Sequence, residues 1–362
     1  MPACCVVKQA LLITSFATQL CAIICAVYLS LGSLIRTILE KVHRLLVIGL
    51  LFWLPKQRRK PIDRWLRGHE EYRKLQQADA VIISFGKSGR TWLRVMISRF
   101  YSFKHGLNAS SLMGFDNLHN KNKAIPKLFF SHDNYLKDYT GNVNNKADFY
   151  DSKVVLLVRD PLDVAVSQFF QWKFRMRPGK KALNDYPEHG ADISIYDFIM
   201  HPGVLLKIID YLNLWADEST KIRELHIVRY EDMRTRTSEV LDGILRCFDT
   251  FATAAELDEA VNFSSIENMR KMENKRTFWL SGSRMVARDK SNPDSYKVRK
   301  AKVGGYRDYF DEDQIVSLEA IVNERLNPLY ERGSISYASR ENPSGEQSLR
   351  THYFDSLQAP TL

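Results

Sequence analysis

The sequence predicts an α/β fold, a P-loop-like parallel sheet flanked by helices on both faces and preceded by a transmembrane helix. Three observations carry the prediction. Beyond Asp79, short apolar runs rich in β-branched residues alternate with longer stretches at helical spacing. Two of those runs end in turns bearing glycine or arginine that open a helix. Finally, no charged residue lies between Lys8 and Arg36. As a helix rising roughly 1.5 Å per residue, Ala10 to Ile35 would be about 39 Å long, enough for a ~30 Å hydrocarbon core.

That apolar run is longer than the ~7–15-residue core of a cleaved signal peptide, and basic residues follow it directly, so a retained anchor is expected. The run Leu45 to Leu54 is too short to cross a bilayer and is expected to lie at the interface. From Arg36 to Lys74 there are 11 Lys/Arg against 4 Asp/Glu, so much of the chain's net charge of +10 sits beside the hydrophobic segment. This distribution points to a membrane surface and not to nucleic acid. Lys56, Arg58, Arg59, Lys60, Arg64 and Arg67 outweigh Lys8, which places the C-terminal body in the cytoplasm as a single-pass protein. Cys4, Cys5, Cys21 and Cys25 crowd the N-terminus and Cys247 stands alone, so the body can form no internal disulfide.

The expected division is a membrane anchor and basic juxtamembrane segment over 1–60, a linker over 61–78, a catalytic domain over 79–335 and a loose polar tail over 336–362. In the domain, Ala80 to Phe85, Leu128 to Phe130, Val154 to Val158 and His226 to Val228 read as buried parallel strands. Helices are expected at Thr91 to Phe103, Asp163 to Lys173, Ile193 to Ala216, Thr237 to Phe248 and Asp311 to Leu326. A content of 45% hydrophobic and 26% charged residues supports a substantial core and excludes a disordered chain.

Two segments carry chemistry. Ser84-Phe85-Gly86-Lys87-Ser88-Gly89-Arg90-Thr91-Trp92 runs from a strand through a glycine-bracketed turn into a helix, where unpaired N–H groups and the helix dipole attract an anion. Its order differs from a Walker loop, in which the lysine follows the second glycine. An ordinary turn made tight by Gly89 is the simpler alternative. The second segment, Lys153 to Ser167, delivers Arg159 to a strand end and starts a helix at Pro161. Ligands of open α/β sheets bind at those ends, so two cationic cradles suggest a ligand with two phosphate-like groups. Pairing of Arg159 with Asp160 or Asp163 is the structural alternative.

In these two motifs, GKSGRTW and RDPLDVAVS, the chain resembles the sulfotransferases that use 3′-phosphoadenosine 5′-phosphosulfate, most closely the cytosolic type, whose elements read PKSGTTW and RNPKDVAVS. The resemblance runs roughly from Asp79 to Arg332. It implies that Lys87, Ser88, Gly89, Arg90 and Thr91 hold the phosphosulfate end, with Lys87 on the bridging oxygen, while Arg159 and Ser167 hold the 3′-phosphate. It also implies that Trp92 stacks on adenine and that Tyr230, in Arg229-Tyr230-Glu231-Asp232-Met233, contacts it. Ser264, in Ser264-Ser265-Ile266, aligns with a further donor-binding segment. Tyr296 to Arg307 resembles the family's late RKGxxGDW loop, which makes Arg299 and Lys300 phosphate contacts.

By the same resemblance, His132, in Phe129-Phe130-Ser131-His132, is the general base. An imidazole of ordinary pKa near ~6.5 suits that task. The partners are then the donor nucleotide and an acceptor alcohol or amine that the sequence does not identify. No metal is needed to explain the charges, and the oligomeric state is open. Several departures from the family pattern stand out. The lysine two residues before the base is Phe130 here, and Arg90, in place of threonine, is the expected source of the missing charge. Gly86 replaces a proline and Ala301 a glycine. A P-loop kinase or NTPase, or a noncatalytic nucleotide-binding membrane protein, are the alternatives.

Overall fold

A computed structural model describes residues 33–275, 277–278, 289, 291–330 and 337–339. The apolar runs form the expected parallel sheet: β1 (Ala80–Ser84), β2 (Leu128–Ser131), β3 (Lys153–Val158) and β4 (Glu224–Arg229) lie in the order β2-β1-β3-β4. Alternate residues of each strand enter two different cores. Val81 and Ile83 join Val154, Leu156 and Ile227 on one face, and Ala80 and Ile82 join Leu128, Val155 and Leu157 on the other. Both faces are covered, which is why the strands read as continuous apolar runs.

The chain divides into Met1–Asp63 and Arg64–Leu362. Helix α1 (Ser33–Leu50) belongs to the first unit, and α2 (Lys56–Leu75) starts there and continues into the second. In the second unit α3 (Arg90–Lys104), α6 (Thr237–Cys247) and α7 (Ala254–Phe263) pack on one sheet face through Leu93, Ile97, Leu241, Ile244 and Ala260. Helices α4 (Pro161–Phe170), α5 (Leu205–Asp217) and α9 (Glu312–Arg325) cover the other through Leu162, Val166, Ile208, Leu212 and Leu318. Helix α8 (Ile266–Lys275) places Met269 and Met272 in a third, smaller cluster with Val95 and Phe278.

Several expectations are corrected. The segment 61–78 is not a linker, because most of it is α2. Its Trp65, His69 and Tyr72 stack around Tyr139, and Arg64 binds Asp138 at 2.8 Å. Its high charge hid that packing. The segment 336–362 is not wholly a loose tail, since Tyr337–Ser339 forms β5, antiparallel to β4. Pro202 interrupts the long helix expected over 193–216, leaving Ile195–Met200 and α5. Helix α4 starts two residues early, with Asp160 capping the N–H groups of Leu162 and Asp163, and ends in a π-turn over Gln171–Arg175. The spanning run Ala10 to Ile35 lies outside the described residues except for 33–35, which open α1. Among the described residues no helix is long and apolar enough to cross a membrane.

Candidate active site

Because β1 pairs directly with β3, the turns at their carboxyl ends are neighbours. Lys87 has φ 79° and Gly89 has φ 93°, so the first turn is left-handed at two points, one of them a lysine held against its preference. At Gly89 the reason is visible: a Cβ there would meet Tyr230 Cδ2 at 2.6 Å, so the tyrosine ring lies directly against the turn. Arg159, at the end of β3, donates from Nη1 to the Lys87 carbonyl at 3.2 Å and places its guanidinium 4.4 Å from the Tyr230 ring centre. Its Nη2 lies 3.3 Å from Asp163 Oδ2, the pairing weighed as an alternative, yet its buried Nε has no partner. Arg159 is thus structurally held and still has a donor to offer.

These groups line a cavity of about 600 Å³. Lys87, Gly89, Arg90, Thr91 and Trp92 reach it from the first turn and α3, and Arg159 and Ser167 from β3 and α4. His132, Tyr230, Arg299 and Lys300 complete the set. Ser88 is buried within the turn and is not part of the lining. Ser264 does not face the cavity either. Its hydroxyl donates to the Ala260 carbonyl at 2.8 Å, while its own carbonyl accepts from Trp92 Nε1 at 2.8 Å. It fixes the indole, which meets Tyr230 edge-on at 6.0 Å and carries Arg234 above it at 5.5 Å.

A family model for the sulfotransferase domain matches residues 77–329. The chain belongs to the sulfotransferase family. Human sulfotransferase 2A1 is 22% identical over 70% of this chain and 86% of its own. Rabbit amine sulfotransferase is 22% identical over 70% and 82%. A mouse sulfotransferase complexed with PAP matches with a TM-score of 0.44 at 17% identity, covering 70% of this chain and 84% of its own. The activity is sulfuryl transfer from 3′-phosphoadenosine 5′-phosphosulfate to an acceptor.

The sulfotransferase cavity is strongly cationic: among the described residues it is lined by thirteen lysines and arginines and one carboxylate, that of Asp163. Like charges held out of water disfavour one another's protonation. Burial, then Arg175 and Arg159, lower the Lys87 ammonium to about 7. Lys297 is held well below the ordinary lysine range by burial and by Lys87, Arg175, Arg90 and Arg94. For His132, burial is the main cause of a pKa well below the usual imidazole range, with Arg90, Lys180 and Lys297 adding to it. His132 Nδ1 lies 2.8 Å from the Ser84 carbonyl, an oxygen that can only accept, so Nδ1 carries the hydrogen and Nε2 keeps its lone pair.

Four of the sulfotransferase's site residues escaped the sequence analysis. Arg94 lies one helical turn beyond Arg90 and stacks 3.9 Å over the Phe130 ring, a proximity that an i, i+4 count offered. Lys297 stood inside the quoted late segment beside Arg299. Asp163, read as a helix-start residue, accepts from the backbone N–H groups of Gly304 at 3.0 Å and Tyr306 at 3.1 Å. Arg175, at the π-turn, pairs with the fully buried Glu273 at 3.0 Å, which also accepts from Lys297 N at 2.7 Å. Nothing in the local sequence marks that long-range pair. Ala301 is left-handed at φ 52°, which accounts for the family's glycine there. Arg299 donates to the Tyr309 hydroxyl and lies 3.8 Å over the Phe170 ring, and Lys300 pairs with Asp308 at 3.2 Å.

Gly89→Ala adds both the left-handed penalty and the clash with Tyr230, for a stability loss of about 1–2 kcal/mol. Adenosine 3′,5′-bisphosphate affinity, measured by titration calorimetry, is expected to fall at least about tenfold as the Tyr230 ring shifts. An alanine variant that binds like the parent would show that the turn does not need its close approach.

Proposed function

We propose that Lys87 and Arg159 hold opposite phosphate-bearing ends of the donor and that His132 activates the acceptor. One observation carries this reading: side chains from the ends of adjacent strands line a single cavity together with a histidine whose only hydrogen is turned away toward Ser84. The residues fit the nucleotide. Arg159 retains a buried donor without a partner, Trp92 and Tyr230 offer aromatic faces, and the volume suits a nucleotide with a small acceptor. The donor supplies an activated sulfuryl group on a phosphate leaving group. Lys87 neutralises charge on the oxygen that departs, and Arg159 with Ser167 orients the 3′-phosphate. His132 Nε2 takes the proton of the acceptor hydroxyl or amine as it attacks.

Residues 10–35 are proposed to anchor the chain through the bilayer once, with the enzyme domain in the cytoplasm. The support is the charge-free run, its basic flank, and the exposure of Leu45, Leu46, Leu50, Phe52 and Trp53 after it. Carbonate washing should leave the full chain in the membrane pellet, and protease added to sealed vesicles whose cytoplasmic face is outward should digest the body. Release into the supernatant would remove the anchor.

His132→Ala is expected to lower turnover by about 10²–10⁴-fold while leaving nucleotide affinity within a few fold. The base acts as neutral imidazole, and its depressed pKa keeps it neutral, so kcat/KM should decline on the acid side only below the ordinary value of ~6.5. A decline centred above 7 would exclude His132 as the free enzyme's base.

Lys87 gives a separate signature. Its ammonium binds the anion, and with a pKa of about 7 in the nucleotide-free enzyme it is mostly neutral at pH 8. Adenosine 3′,5′-bisphosphate should therefore bind with uptake of close to one proton at pH 8, its affinity weakening about tenfold per pH unit above 7. Calorimetry in two buffers of different ionisation heat measures this directly. Uptake that persists in Lys87→Met would assign the proton to another group.

A further inference from the structure

The donor-side walls come from the turns after β1 and β3, the start of Tyr230–Thr235 and the late segment 297–305. Beyond His132 the opposite wall is built by Asn134 and by the stretch after the π-turn, with Arg177, Lys180, Asn184 and Tyr186, and it is closed by Lys207 from α5. Most side chains of this wall are polar or basic. Among the described residues it brings no carboxylate to the cavity, and Met176 and Phe85 are its apolar members.

It is also a built wall. Lys207 Nζ donates to the Asn184 carbonyl at 3.1 Å, Asn184 Nδ2 to the Lys180 carbonyl at 2.9 Å, and Gln168 Nε2 to the Tyr186 hydroxyl at 2.9 Å. Arg64 ties its two ends together through the carbonyls of Asn134 at 2.9 Å and Leu183 at 3.2 Å. Pockets for flat apolar acceptors are lined mainly by hydrophobic and aromatic side chains with few polar groups, the reverse of this arrangement. Cations gathered there repel one another until an anion arrives, and Lys180 feels Arg67 and Arg90 as well as the loss of water around it.

Resting on the sulfotransferase assignment of the cavity, we infer that the acceptor is itself an anion: a polar alcohol or amine carrying a carboxylate, sulfate or phosphate that Lys180 and Lys207 hold while the nucleophile faces His132. With the donor's phosphates on the other wall, Lys180 and Lys207 line the acceptor's side of the cavity. A neutral phenol or sterol offers that basic wall no counter-charge.

The test uses the full chain in detergent, saturated with adenosine 3′,5′-bisphosphate so that the donor's own anion sites are filled. Two matched probes, p-nitrophenyl β-glucuronide and p-nitrophenyl β-glucoside, differ in one carboxylate. The glucuronide is expected to bind at least about tenfold more tightly, the contribution of a charge-assisted contact. In Lys180→Gln/Lys207→Gln that ratio should fall toward one, and added salt should shrink it in the parent. Equal binding, preference for the glucoside, no binding of either at millimolar concentration, or a ratio unchanged in the double variant overturns the inference. Failure to bind adenosine 3′,5′-bisphosphate at all would instead remove the donor-site reading beneath it.

Discussion

Lysine and arginine side chains gathered in one half-buried cavity repel one another in a medium that screens far less than water, so their positions must be fixed by groups behind them. Asp163 and Glu273 do this from within the protein. Asp163, with 2% of its side chain exposed, bonds Arg159 and two backbone N–H groups of the late segment, and Glu273, with none exposed, bonds Arg175 and the backbone of Lys297 and Val298. Each carboxylate satisfies one cation and one stretch of chain together. Burial first, and then the remaining repulsion, lower the affinity of Lys87, Lys297 and His132 for protons. A polyanion entering such a cavity would relieve that repulsion.

Strand order makes this gathering feasible. From β1 the chain passes to β2 on one side of it and then to β3 on the other, so β1 is the strand at which the winding reverses. The helix after β1 buries Leu93 and Ile97 against one sheet face, whereas the helix after β3 buries Leu162 and Val166 against the other. The two turns therefore diverge above adjacent strand ends and leave a crevice between them. Gly89 and Arg159 reach across it from opposite sides to the same ring, that of Tyr230. The left-handed backbone of Lys87 belongs to that constraint, since the turn must present its lysine while staying flat against tyrosine.

What could be read in the sequence follows the same division between local and long-range causes. The four parallel strands were legible because burial on both faces leaves an unbroken apolar signature, and both anion turns were legible because each is one short contiguous motif. The helix over 56–75 was hidden by its charges: it packs against Tyr139 and Asp138, far along the chain. Ser264 was assigned to the nucleotide by position in a motif, yet its carbonyl serves Trp92 and its hydroxyl closes a helix. Glu273 and Asp163 were illegible as site residues for a related reason. Each carboxylate's role here is set by long-range partners: Glu273 holds Arg175, 98 residues away, and Asp163, besides Arg159 in the next turn, holds the backbone of Gly304, 141 residues away.

Phe130 stands where the family pattern has a lysine, and the structure places an arginine against it. A lysine on β2 would approach the transferring group from the strand. Arg94 reaches the cavity from α3, with 7% of its surface exposed and its guanidinium 3.9 Å over the face of Phe130. The contact favours arginine specifically, because a planar, weakly hydrated guanidinium stacks on an aromatic face where an ammonium would lose its water for less return. Phe130 is thus the platform on which the Arg94 guanidinium rests, so a second arginine, besides the expected Arg90, lies beside the position of the family's lysine. Arg90, the other cation gained by the loop, bears on His132 and Lys180. The charge of the first turn is therefore felt on the far side of the cavity, where Lys180 stands.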